Sequence, residues 1–194
     1  MTAQPALAPP LRVSRWFNTH EPISIASLRG RVVLLHAFQM LCPACVSHGL
    51  PQTIRARQLF APEELAVIGL HTVFEHHAVM NAAALEVFIH EYRLTIPIGI
   101  DEAQVATSFP LTMQAYQLHG TPSLILIDRL GRVRLNHFGH IDDMALGGLI
   151  GQLIAEPAAT AADMLDRSQT TSISAAAACG NDGCGISNTG SSAT

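Results

Sequence analysis

The chemistry-bearing residues of this chain are its four cysteines, which fall into two pairs: Cys42-Pro43-Ala44-Cys45 and Cys179-Gly180-Asn181-Asp182-Gly183-Cys184. Two thiols separated by two residues can close and open a disulfide. They can also supply half of a zinc site, whose ligands use the same spacing. No second pair stands at conventional zinc spacing within the stretch expected to fold. Dithiol chemistry is therefore the leading reading of Cys42 and Cys45, with metal ligation and an inert pair as alternatives.

The elements around the first pair favour redox chemistry. Residues 31–38 (RVVLLHAF) are β-branched and aliphatic, as suits a central strand buried on both faces. Pro43 fits the first turn of a helix, and Val46, Leu50 and Ile54 would form its buried stripe. Pro51 predicts a kink, because it removes a backbone donor. Cys42 would then cap a helix start, where unpaired N–H groups and the positive end of the dipole stabilise a thiolate. Cys42 is the expected nucleophile on a partner disulfide. Cys45, one turn on and more buried, would resolve the mixed disulfide.

Elsewhere, residues 1–15 read as a loosely held lead-in. Residues 22–30, with Ile23, Ile25 and Leu28 apolar, read as a short strand and a turn. Residues 65–71 (LAVIGLH) predict a second buried strand, and 97–100 a short one. Residues 81–93 predict an amphipathic helix with Leu85, Phe88, Ile89 and Tyr92 on one side. Residues 123–128 and 133–138 read as strands of a hairpin. A final helix over 142–154, capped by Asp142 or Asp143, would bury Leu146, Leu149, Ile150 and Leu153. After about Glu156 the composition turns to Ala, Ser, Thr and Gly. Residues 156–194 are expected to be a flexible tail with at most one short helix near 158–167. The domain expected is residues 16–155, and no internal repeat is evident.

The stretch 23–45 (ISIASLRGRVVLLHAFQMLCPAC) resembles the opening of the redoxin or TlpA-like branch of the thioredoxin superfamily. Gly120-Thr121-Pro122-Ser123, a following strand and the turn from Asp128 to Gly131 are a second likeness. The resemblance covers roughly residues 16–154. It implies an α/β fold with a central mixed sheet flanked by helices. It also implies that Pro122 is cis and faces the redox pair, a form that X–Pro bonds tolerate. An extended partner peptide would add beside Pro122 and Thr121 and meet Leu41, Pro43 and Ala44. A plain strand-entry proline is the alternative.

Two positions depart from the family pattern. Leu41 stands where the family usually carries Trp, so an aromatic lid over the thiol is missing. His36, six residues before Cys42, stands where thioredoxins commonly carry a buried Asp. It would pass protons to or from Cys45, or else be a core histidine bonded to a backbone carbonyl. The neighbouring peroxiredoxins place Thr or Ser three residues before the reactive Cys. Gln39 stands there here, which disfavours peroxide chemistry.

The tail pair Cys179 and Cys184 would act as a second redox pair that exchanges with Cys42–Cys45. A soft-metal site and incidental thiols are the alternatives. His71, Glu75, His76 and His77 are expected in a solvated loop after the second strand, bordering the crevice. His119 is expected at the surface.

Composition bounds the rest. Apolar residues make up 48% and charged residues 13%, with 11 basic against 15 acidic and a net charge of −4. No basic cluster marks a nucleic-acid surface, and no run of about 18 apolar residues offers a membrane span. The opening residues lack a basic start and an apolar stretch, so a cytoplasmic setting is the expectation. The function expected is dithiol–disulfide exchange with a protein disulfide or dithiol and a redox partner, with no cofactor and no metal. The rival is a soft-metal carrier using Cys42, Cys45, Cys179 and Cys184.

Overall fold

Seven residues, Val32–Phe38, are buried on both faces and form the middle of a six-stranded sheet (β2). A computed structural model describes residues 5–104 and 108–157. The other strands are β1 (Val13–Phe17), β3 (Leu65–His71), β4 (Ile98–Asp101), β5 (Ser123–Ile127) and β6 (Val133–Phe138), in the spatial order β1-β4-β3-β2-β5-β6. β2 and β3 run parallel, as do β3 and β4, while β5 lies antiparallel to β2 and pairs with β6 as an antiparallel hairpin. An all-apolar run suits strands covered on both faces, and helices cover them here.

The alternation of side chains along β2 divides the core. Val32, Leu34 and Phe38 face a layer that includes α1 (Leu50–Leu59), α2 (Ala82–Glu91) and α4 (Asp143–Ala155). Val33, Leu35 and Ala37 face the opposite layer, built from Ile25 and Leu28 and from Met113, Tyr116 and Leu118 around α3 (Leu111–Ala115). This is a thioredoxin-like arrangement. Among the described residues, no helix is long and apolar enough to cross a membrane.

Local chemistry explains where the structure departs from the sequence reading. Residues 22–30 contain no strand; Ala26–Leu28 form one 3-10 turn. Ser24 and Ser27 bond each other's backbone N–H groups at 3.0 and 3.2 Å, which offers the chain a turn in place of a ladder. Strand β1 instead begins within the expected lead-in, pairing antiparallel with β4. Leu7 also bridges Arg132.

Helix α2 starts one residue after Asn81, whose side chain accepts from Ala84 N. In α4, Asp142 caps Met144 and Ala145, and Leu146, Ile150 and Leu153 face inward as expected. Leu149 does not: it is 36% exposed, because only the 146-150-153 stripe fits against the sheet. Tyr92 is also exposed, just beyond the end of α2. In α1 the deepest positions are Leu50, Gln52, Thr53 and Ala56, while Val46 and Ile54 are half-buried.

Candidate functional site

Helical structure begins at Pro43, immediately after Cys42, where the chain leaves β2. The Cys42 N–H donates to the Gln39 carbonyl at 3.1 Å, and the Cys42 carbonyl accepts from Val46 N at 3.1 Å. Residues Cys45–Gly49 then form a π-helical turn before α1 opens with Leu50 and Pro51. Widened turns of this kind occur often at functional sites. Pro51, where the sequence predicts a kink, is the second residue of α1, a position where its missing donor is tolerated.

Cys42 and Cys45 are joined as a disulfide, with their Cα atoms 5.2 Å apart. Cys45 is fully buried and Cys42 half-buried. The backbone N–H of Cys45 donates to Cys42 Sγ at 3.2 Å. In the reduced pair the same N–H would stabilise negative charge on that sulfur, as helix starts do for thiolates.

Across from the sulfur lies the Thr121–Pro122 peptide, which is cis. The Thr121 carbonyl oxygen is 3.6 Å from Cys42 Sγ. The Pro122 carbonyl accepts from Gly139 N at 2.8 Å, and Ser123 Oγ donates to the Gly120 carbonyl at 2.8 Å. The first bond ties the segment to the end of β6, and the second closes the turn within it. A β-carbon at Gly120 would stand 2.9 Å from the Phe138 ring, so glycine permits this close approach. Leu41 is 57% exposed and Phe138 55%.

A model of the Redoxin family matches residues 7–143. This chain belongs to the Redoxin family. Among solved structures, the redoxin fold recurs in a thioredoxin-like superfamily protein that is 46% identical, with a TM-score of 0.78, covering 79% of this chain and 99% of that one. It recurs too in a thiol-disulfide isomerase from Corynebacterium glutamicum at 47% identity and a TM-score of 0.73, over 77% of this chain and 98% of that one. Protein DipZ of Mycobacterium bovis and of Mycobacterium tuberculosis is 31% identical over 156 residues, 76% of this chain. The chain spans about a fifth of the length of those curated relatives. The likeness places this redoxin in the thioredoxin-like thiol–disulfide oxidoreductase branch, with Cys42 and Cys45 as its cysteine pair.

His36 is wholly buried on β2, and neither ring nitrogen has a hydrogen-bond partner among the described residues. The backbone-bonded core histidine weighed from the sequence is not what forms. The imidazole packs behind the π-helical turn: a β-carbon at Gly49 would lie 2.5 Å from His36 Nε2 and 3.3 Å from Pro122 Cβ. Burial lowers its pKa to about 3, because a charged ring cannot be solvated there.

His71 has two sequence readings, the end of the strand over 65–71 and part of the solvated loop after it. The first holds and corrects the second: it is the buried last residue of β3, its ring 5.4 Å from that of Phe38. Burial lowers its pKa to about 4. The strand simply runs through it, since His36 and His71 occupy the same sheet face as Phe38. Glu75, His76, His77 and His119 are exposed, as expected.

Sequence reasoning passed over Gln39 as a site residue. Its side chain is buried to 1% exposure, and its Nε2 lies 3.4 Å from Thr121 Oγ1 and 3.5 Å from Glu75 Oε1. The one available signal was an amide at the end of an apolar strand, three residues before Cys42. Gly49 was equally silent, because a glycine near a helix start has no distinctive neighbours in sequence. Cys179 and Cys184 lie outside the described residues. Among the described residues, no group of three or more His, Cys, Asp or Glu side chains is arranged to hold a metal ion.

Proposed function

We propose that this redoxin is a thiol–disulfide oxidoreductase that exchanges its Cys42–Cys45 pair with the cysteines of protein partners. The observation that carries this reading is the half-buried Cys42 Sγ, held between the Cys45 N–H and the Thr121 carbonyl beside cis Pro122. The 47% identical thiol-disulfide isomerase supports it.

In the reducing direction, the Cys42 thiolate attacks one sulfur of a partner disulfide. A Cys42–partner bond forms, and the second partner sulfur leaves as a thiolate and takes a proton. Cys45 then loses its proton and attacks Cys42 Sγ. The Cys42–Cys45 bond closes, and the partner departs as a dithiol carrying two electrons and two protons. Oxidation of a dithiol partner is the reverse sequence. A second dithiol protein resets the pair. Thr121, Pro122, Leu41, Pro43 and Ala44 form the surface against which the partner strand lies.

His36 is assigned a positioning role. A proton carrier works best with a pKa near the working pH, and an imidazole with a pKa of about 3 is neutral there and weakly basic. Its packing against Gly49, which itself lies close to Pro122, supports the assignment, since Gly49 ends the turn that carries Cys45.

Cys179 and Cys184 extend the reading as a relay. The oxidised core pair would be reduced by the tail dithiol through the same two exchanges. The compartment assigned is the cytoplasm, where a reducing thiol pool would keep the pair in its dithiol form. Alkylation trapping that finds the pair oxidised in cells overturns that assignment.

Reduced full-length protein mixed with a disulfide-bonded peptide tests the core claim. Peptide thiols should appear with wild type and vanish with Cys42→Ser, and Cys45→Ser should accumulate a mixed disulfide. No peptide reduction by wild type overturns the reading. The relay fails if Cys179→Ser/Cys184→Ser leaves turnover unchanged and no tail–core disulfide is found.

A further inference from the structure

Gln39 spends its amide on an unusual pair of partners. One donor nitrogen reaches both the exposed Glu75 carboxylate and the Thr121 hydroxyl, at 3.5 and 3.4 Å, so these two groups lie within about 7 Å of each other. Gln39 Oε1 is buried and has no hydrogen-bond partner among the described residues. The Gln39 backbone carbonyl also accepts from Cys42 N. One residue thus ties the loop after β3 to both sides of the reactive sulfur. Burying an amide with an oxygen unpaired costs free energy.

Glu75 supplies a charge that the rest of this surface lacks. Leu41, Pro43 and Ala44 beside the sulfur, and Thr121 and Pro122 across from it, are uncharged. A partner strand laid along Thr121 would carry side chains past this carboxylate.

We propose that Glu75, held by Gln39, is a specificity determinant that selects partner segments with a basic residue beside their reactive cysteine. This deepens the proposed function and rests on it. Because the carboxylate is exposed, the selection is modest, of the size of a surface ion pair, about two- to fivefold in rate constant. It acts through encounter and docking and so weakens with salt.

Two disulfide peptides, identical except for Lys or Glu after the cysteine, test this at pH 8 and low ionic strength. Each rate with the reduced full-length protein is divided by the rate with dithiothreitol, which removes the peptides' intrinsic difference in leaving ability. Wild type should favour the Lys peptide about two- to fivefold. The ratio should approach one in Glu75→Gln and in 0.5 M salt, and should invert in Glu75→Lys. Gln39→Leu should move it towards one; if that variant does not fold, the exposed Glu75 variants decide. Any effect of Glu75 on the Cys42 thiolate acts on both peptides and cancels in the ratio. Equal rates in wild type, or a preference that survives Glu75→Gln or high salt, overturn the inference while leaving the proposed function standing. No reaction with either peptide overturns both.

Discussion

Gly49 and His36 are in direct contact: a β-carbon on Gly49 would sit 2.5 Å from His36 Nε2. The imidazole fills the space beneath the π-helical turn that carries Cys45. Neither residue has room to give, since both are buried and the turn is backbone.

Gly49→Ala should therefore destabilise the protein by about 1–3 kcal/mol, the usual cost of overpacking. Urea denaturation measures it. His36→Ala in the same chain should relieve the clash, giving a coupling energy of about 1 kcal/mol or more in a double-mutant cycle. Additive effects would show that the turn moves aside freely.

Buried His36 and His71 should make stability fall in mild acid. Their folded pKa values, about 3 and about 4, lie below the unfolded value of 6.5. Below pH 6.5 the unfolded chain therefore binds protons that the folded chain does not, and stability drops as pH falls towards 4. The loss should be about 2 kcal/mol per histidine at pH 5. Denaturant midpoints measured from pH 7.5 to pH 4.5 should show this slope. His36→Leu should reduce it by about half.

Cys42 and Cys45 should differ sharply towards alkylating agents in the reduced protein. Cys42 is half-buried and receives the Cys45 N–H, while Cys45 is fully enclosed. Thiolate character and access both favour Cys42. Substoichiometric iodoacetamide followed by peptide mapping should find the label on Cys42 by at least about tenfold. Equal labelling would contradict the assigned order of attack.

Asp128 should anchor the hairpin after Pro122. Its buried carboxylate accepts from Leu130 N, Arg132 N and the Arg132 and Arg134 guanidiniums. Burial pushes its pKa up, but these bonds outweigh it and hold the carboxyl below its usual range. Asp128→Asn should cost about 2 kcal/mol, the range for a charged hydrogen bond. A thermal melt at neutral pH tests this, and an unchanged midpoint would place the network among surface pairs of little value.

The sequence by itself determined the strands β2, β3, β5 and β6, the helices α2 and α4, and the cysteine pair at a strand-to-helix junction. Those features are local. Two-faced apolar runs, an Asn or Asp cap before an amphipathic stretch, and a proline after Cys42 each act within about a turn of chain. The short β4 was legible too, at 97–100, whereas β1 lay hidden in the lead-in and the 3-10 turn at Ala26–Leu28 passed for a strand. Only the tertiary structure decided which groups face the sulfur. Gln39, Thr121 and Glu75 are brought together across 82 and 36 residues of chain. It also placed His36 against Gly49 rather than a carbonyl. Residue type and spacing identify a thiol pair, because a helix start acts on it through neighbouring backbone. The surroundings that set its partners come from the parallel and antiparallel pairing of the sheet, which joins residues that sequence proximity does not.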